Sequence, residues 1–313
     1  MTQLNPSIAT YVGNCASIAT LLEVSAYPKP GNIHRLSDLQ DTKYEHFLAG
    51  GVSLGSVMGR LAEKASEAEE FNLLGIGESI REAVDEMFKW QNGGNIHLGV
   101  ILLFAPLSAA AGAAFSSRID VDELRDYTRR IISEATSRDT VDIYAAIDRA
   151  MSSENLGSAK ELDVSDTQSV DRIIKENVTP LQVFEICRDR DMICKEWVTG
   201  FSTVFETGYP SLKDRIQSGA SINDATVDTF IKILSENPDS LILRKSGLEA
   251  AEKVSRKAEA IRQAGGTSTE KGREKLRNLD VELKNENGAL NPGTCADITA
   301  ASLFVLLLTG WRP

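Results

Sequence analysis

Apolar residues recur along this chain at three- and four-residue spacing, and almost nowhere alternate in the two-residue rhythm of a half-buried strand bounded by hairpin turns. Near the start, Ile8, Tyr11, Val12, Cys15, Ile18, Ala19 and Leu22 line one face of a helix that should end near Tyr27. Further helical patterns cover about 43–65, 77–90, 97–115, 120–135, 139–151, 180–206, 222–235, 247–264, 270–285 and 294–309. The expected fold is all-α. At 313 residues the chain is long enough for one large helical domain or two modest ones. A hydrophobic share of 42% with 25% charged residues is enough to bury a core.

Within 43–65, Gly51, Gly55 and Gly59 share a face at four-residue spacing, a costly arrangement best explained by close helix-to-helix approach. The most apolar run, Leu98 to Phe115, contains Pro106 and many alanines and reads as a buried helix, not a membrane span. The glycine- and alanine-rich helices would permit close contacts in a homo-oligomer. Asn155 to Asp171 is polar and turn-rich, and is expected to be a loop.

A net charge of −11 opposes loose association with nucleic acid, so any polyphosphate must be met locally by a few convergent cations and a divalent metal. Cys15, Cys187, Cys194 and Cys295 are scattered without a C-x-x-C, which argues against structural zinc. The first residues lack the basic and apolar regions of a signal peptide, and the expected compartment is the cytoplasm. No G-x-x-x-x-G-K-[ST], G-x-S-x-G or H-E-x-x-H occurs. Gly75-Ile-Gly77 has no preceding strand and reads as a turn between helices. The chemistry must rest on loops and helix starts.

Four segments carry candidate groups. Glu23 to Asp38 packs Lys29, His34 and Arg35 with flanking carboxylates around a proline-stiffened backbone whose Gly31 permits close approach; it reads either as a phosphate contact or as a connector with solvated charges. Gln91 to Gly99 offers Asn95 as an N-cap before an apolar helix, with His97 either packed or in contact with ligand. In Asn291-Pro-Gly293-Thr294-Cys-Ala-Asp297, Thr294 and Asp297 fit a capping box, or Asp297 holds Mg²⁺ beside exposed helix-start amides. In Asn237 to Gly247, Pro238 marks a helix start, and Arg244 and Lys245 either complement that helix's end or reach a phosphate. Asp139, Asp142, Asp163, Asp166 and Asp191 supply further acids, of the kind that usually cap helices or sit in solvent.

The order Y-P-K-P-G-N-I-H-R, N-I-H-L-G, D-S-L-I-L-R-K-S-G and L-N-P-G-T-C-A-D-I-T-A, running from about Thr20 to Leu308, resembles the triphosphoribosyl-dephospho-coenzyme A synthase family, in its archaeal-type branch. The resemblance implies one large domain and not two, a single multi-helix domain over residues 1–313 with its active-site cleft formed by loops and helix N-termini. It implies an all-α enzyme in which ATP donates its triphosphoribosyl group to a ribose hydroxyl of 3′-dephospho-coenzyme A, releasing adenine and giving a prosthetic-group precursor. It also implies that Lys29, Asn32, His34, Arg35, Asn95, His97, Arg244, Lys245 and Asn291 bind nucleotide or phosphate, and that Gly31 and Gly293 let phosphate oxygens come close. Asp297 and Asp38 would hold Mg²⁺, or Asp297 the sugar cation, with Glu23 as base toward the acceptor hydroxyl. Two departures bear on the acceptor: Leu98 stands where the bacterial pattern has lysine, and Asn32-Ile33-His34 where a Leu-Val-Asp type is common. An ATP-binding protein without turnover, and a related pentosyl transferase or N-glycosidic hydrolase, are the competing readings.

Overall fold

The computed structural model of the chain describes residues 6–115, 118–151, 167–286 and 288–313. Among these, fifteen α-helices and no strand are present, and the only extended pairing is a bridge between His34 and Ser37. In chain order the helices are α1 Ile8–Ser25, α2 Tyr44–Ser66, α3 Ile76–Trp90, α4 Leu98–Ala113, α5 Val121–Glu134, α6 Ser137–Ala150, α7 Thr167–Glu176 and α8 Pro180–Cys187. They continue as α9 Met192–Thr199, α10 Tyr209–Gln217, α11 Ile222–Glu236, α12 Ser240–Ser246, α13 Leu248–Gln263, α14 Glu270–Lys284 and α15 Gly293–Leu308.

Two helices are apolar all round, and both lie at the centre. Pro106 is tolerated inside α4, which stacks Phe104 on Phe304 of α15 with ring centroids 4.4 Å apart. Beside them, α1 and α2 pack backbone to backbone: a Cβ at Gly59 would fall 2.4 Å from the Ala9 carbonyl oxygen, and one at Gly55 2.7 Å from that of Gly13. The glycine face of α2 and the alanine-rich α4 are therefore packed inside the chain.

The 180–206 pattern is broken into three pieces. Asp191 caps α9 through the Ile193 and Cys194 amides, at 2.8 and 3.1 Å. Gly200 and Phe201 then take positive φ, and a π turn at Thr203–Gly208 follows, held by the buried Glu196 carboxylate on the Thr203 and Val204 amides. Cys187 and Cys194 form a disulfide between α8 and α9, a link not anticipated from their spacing. The expected loop at Asn155–Asp171 lies outside the described residues up to 166, as do Asp163 and Asp166; from Thr167 the chain is helical. Gly75 makes the expected turn, but Gly77 is helical, where a Cβ would strike the Asp139 backbone. No described helix is long and apolar enough to cross a membrane.

Candidate active site

The last turn of α1 supplies Glu23, and the segment after it returns Lys29 onto that carboxylate. The returning chain is clamped by Asn223 of α11, which accepts from the Tyr27 amide at 3.0 Å and donates to the Tyr27 carbonyl at 2.8 Å. Lys29 is fully buried, its ammonium donating to Glu23 Oε1 and, at 2.9 Å, to Asn32 Oδ1. Asn32 in turn donates to Asn291 Oδ1 at 2.9 Å, so the first and last sequence segments are joined by side chains. Burial pushes the Glu23 carboxyl up and the Lys29 ammonium down from their ordinary values; the contact between them opposes both shifts.

A second layer comes from α14. Asp280 accepts from the Gly31 amide at 3.0 Å, lies 3.2 Å from His34 Nε2, and accepts from Lys284 at 2.8 Å; Lys284 Nζ is also 2.7 Å from His34 Nε2. Neither Asp280 nor Lys284 was singled out from the sequence. The one signal was their i,i+4 spacing, which on a charged helix reads as a surface pair. Gly31 has φ +73°, and a Cβ there would meet Leu283 at 2.7 Å. At Gly293 it would meet Leu241, also at 2.7 Å. Both glycines therefore admit close protein neighbours.

The start of α15 also departs from the capping-box reading. Asp297 makes no cap: helix α15 follows Pro292 with no side-chain cap, and Thr294 bonds instead to Ser240 at 3.0 Å. The capping is done by Asp239, fully buried, which accepts from the Leu241 and Ile242 amides of its own helix and from Cys295 at 2.8 Å. Asp239, not Asn237-Pro238, begins α12. Freed from that duty, Asp297 lies against the backbone at the start of α4, where a Cβ on Gly99 would fall 2.1 Å from its Oδ2. Its carboxyl is held well above the ordinary range, first by burial, then by the charges of Glu23, Asp239 and Asp191, with Lys29 opposing.

The remaining candidates are dispersed around this centre. Arg35 is exposed and donates to Asn223 at 3.0 Å, and exposed Asp38 accepts from the Tyr44 amide at 2.9 Å. Asn95 accepts from the Leu98 amide at 3.2 Å from two residues before the N-cap, which is His97 and not Asn95. Arg244 lies 3.9 Å from Asp191, whose charge reaches Asp297, and Lys245 donates to the Gly288 carbonyl at 3.3 Å. Asp139 and Asp191 cap helices and Asp142 pairs with Arg81. Among the described residues no group of three His, Cys, Asp or Glu side chains is arranged to hold a metal.

His97 is buried, and its Nε2 donates to the Phe47 carbonyl at 3.1 Å, which places its single neutral proton there. Burial is the main cause of its pKa falling to about 4. A folded-state value below the unfolded one means that the unfolded chain binds the proton more tightly. Stability from this group is therefore complete above about pH 6.5 and is lost as pH falls toward 4, by about 3 kcal/mol in all. Denaturant unfolding of His97→Phe should show a shallower loss over that interval than wild type; parallel curves would refute the assignment.

Fold and site together define an all-α enzyme whose charged groups gather where the end of α1, the segment after it, the last turns of α14 and the start of α15 meet. Residues 9–313 match the family model CitG, described as ATP:dephospho-CoA triphosphoribosyl transferase, and the chain belongs to that family. A protein of Pseudomonas fluorescens Pf-5 named as a 2-(5''-triphosphoribosyl)-3'-dephosphocoenzyme-A synthase is 25% identical over 305 residues, 96% of this chain and 92% of its own. One of the same name from Stutzerimonas stutzeri A1501 is 36% identical over 110 residues; this aligned part of the chain spans 37% of that relative's length. A crystal structure from Archaeoglobus fulgidus, described as a triphosphoribosyl-dephospho-coA synthase, is similar with a TM-score of 0.65 at 26% identity, covering 85% of this chain and all of its own.

Proposed function

We propose that this protein moves the triphosphoribosyl group of ATP to a ribose hydroxyl of 3′-dephospho-coenzyme A. The bond from the ATP ribose to adenine breaks, and its electron pair leaves with adenine, which takes up a proton. A bond from the same sugar carbon to the acceptor oxygen forms, and the hydroxyl proton goes to a base. The observation that carries this reading is the joined set Glu23–Lys29–Asn32–Asn291 beside Asp297 at the head of α15, which has no ion-pair partner among the described residues.

The sugar passes through an oxocarbenium-like state, and a carboxylate with no hydrogen-bond partner among the described residues is free to stabilise that positive charge. Asp297 fits this role. Glu23, whose carboxyl burial biases toward holding a proton, is the base for the acceptor hydroxyl. Lys29, being fully buried, holds Glu23 and Asn32 in place and offsets part of the negative charge at Asp297.

Among the described residues no resident metal site is built, but Mg²⁺ bound to a triphosphate needs only one or two protein carboxylates. Asp297 fits as one such ligand; Asp38 fits less well because the Tyr44 amide already uses its Oδ1. The ion, arriving with ATP, would neutralise phosphate charge. We place the reaction in the cytoplasm. The buried Leu98 leaves no cation at the position where the bacterial pattern has one, so acceptor preference is the feature most open to variation.

Incubation of the folded chain with Mg²⁺-ATP and 3′-dephospho-coenzyme A should release adenine in step with an acceptor heavier by one triphosphoribosyl group, read by chromatography and mass spectrometry. ATP binding with no adenine release from this pair would leave the chain a binding protein or a transferase for another acceptor.

A further inference from the structure

We propose that Lys284, at the end of α14, is the cation of this site that touches the non-bridging oxygens of a bound polyphosphate, with Asp280 and His34 as its positioning residues; the assignment rests on the site proposed above. A lysine ammonium has three N–H donors. Asp280 Oδ2, at 2.8 Å, takes one. His34 Nε2 lies 2.7 Å from Lys284 and 3.2 Å from Asp280, and a neutral imidazole nitrogen cannot accept from the first while donating to the second. The shorter contact gives the Nε2 lone pair to the ammonium, and the longer 3.3 Å approach of the Leu36 amide to Nδ1 is the one given up. One N–H of Lys284 then remains unassigned. Its side chain is 17% exposed while that of Lys29 is 0%, so it is Lys284 that can meet a ligand without unpacking the site.

Helix α14 ends there, and an i,i+4 pair with Asp280 would by itself suit a basic residue in the last turn. That bland role does not account for His34 sharing the same ammonium, nor for Asp280 spending its other oxygen on the Gly31 amide. Together these contacts fix the ammonium beside the chain segment that carries Lys29 and Asn32. Burial also lowers the Lys284 pKa, as does the charge of Lys29, a state that an arriving anion would relieve.

Two ligands offer this chemistry: the triphosphate of the donor and the diphosphate of the acceptor. Binding of inorganic tripolyphosphate and of inorganic pyrophosphate to the full chain is measured by calorimetry for wild type, Lys284→Met and Lys284→Arg, alongside thermal melting. Lys284→Met should weaken one probe by about tenfold or more, and Lys284→Arg should recover part of that. A loss confined to tripolyphosphate places Lys284 on the donor; a loss for both probes also supports the contact. Wild type that binds neither probe, or Lys284→Met that binds both within about twofold of wild type, overturns the proposal. If Lys284→Met does not fold, Lys284→Gln, which can still reach Asp280, carries the same comparison. Adenine release is scored separately. Probe binding through Lys284 without adenine release would keep this inference and sink 3′-dephospho-coenzyme A as the acceptor, and the converse would do the opposite.

Discussion

Asp297→Asn is expected to cut adenine release by about 10²- to 10³-fold while leaving the melting temperature unchanged or raising it. The two outcomes share one cause. Asp297 sits half-buried among the charges of Glu23, Asp239 and Asp191, with only Lys29 in opposition, and its carboxyl is held well above the ordinary range. Its charged form is therefore less favourable in the native than in the unfolded chain. Stability tied to it falls as pH rises above the unfolded value of about 3.9, until the raised native value is passed. An asparagine of the same shape carries no charge and escapes that cost. A residue kept for packing would show the reverse, with stability lost and turnover spared. Melting curves of both proteins from acid to neutral pH, with turnover at neutral pH, make the comparison. Wild type should lose ground to the variant as pH rises. Full turnover in a folded Asp297→Asn protein would remove Asp297 from the chemistry.

How far the site could be read from the sequence followed the reach of each interaction. Lys29, Asn32, Glu23 and Asn291 lie in segments punctuated by proline and glycine, and those segments do converge. Residue type alone did not separate a buried ammonium from an exposed one, so Lys29 read as a phosphate ligand although it has no exposed surface. Asp280 and Lys284 were overlooked because Glu270–Lys284 is rich in alternating charge, the pattern of a solvated helix; only the return of Gly31 and His34 onto that helix gives the pair its place. The capping box at Thr294 had the right spacing and the wrong partner. Asp239, far away in sequence, reaches the Cys295 amide first.

The helices were more legible than the site. Where one apolar face persisted, as in α3, α5 and α11, the expected bounds lie within a residue or so of the observed ones, because burial of that face is what holds the helix. Periodicity failed at 180–206, since apolar spacing continues across Asp191 and Gly200, where a cap and two positive-φ residues interrupt the helix. Helix α10 went unseen because Pro210 was silent as a start signal when it followed Gly208 without a polar cap.

Gly59→Ala tests the packing on which the site is built. By helix propensity alone, alanine at an interior glycine should stabilise by about 1 kcal/mol. Here the added Cβ would lie 2.4 Å from the Ala9 carbonyl oxygen and 3.1 Å from its carbon, both backbone atoms of α1 that cannot swing aside. Overpacking of this kind costs about 1–3 kcal/mol, and two backbone clashes place it at the upper end. The net expectation is destabilisation of about 2 kcal/mol and a melting temperature lower by about 3 °C. Ser56→Ala, on the exposed face of the same helix, should be close to neutral and serves as the control. Since α1 carries Glu23 in its last turn, and Gly50 and Gly51 of α2 cover His97, forcing the two helices apart should also lower turnover. A Gly59→Ala protein that melts higher than wild type would show that α1 and α2 are not in backbone contact, and the arrangement of Glu23 over Lys29 would lose its support.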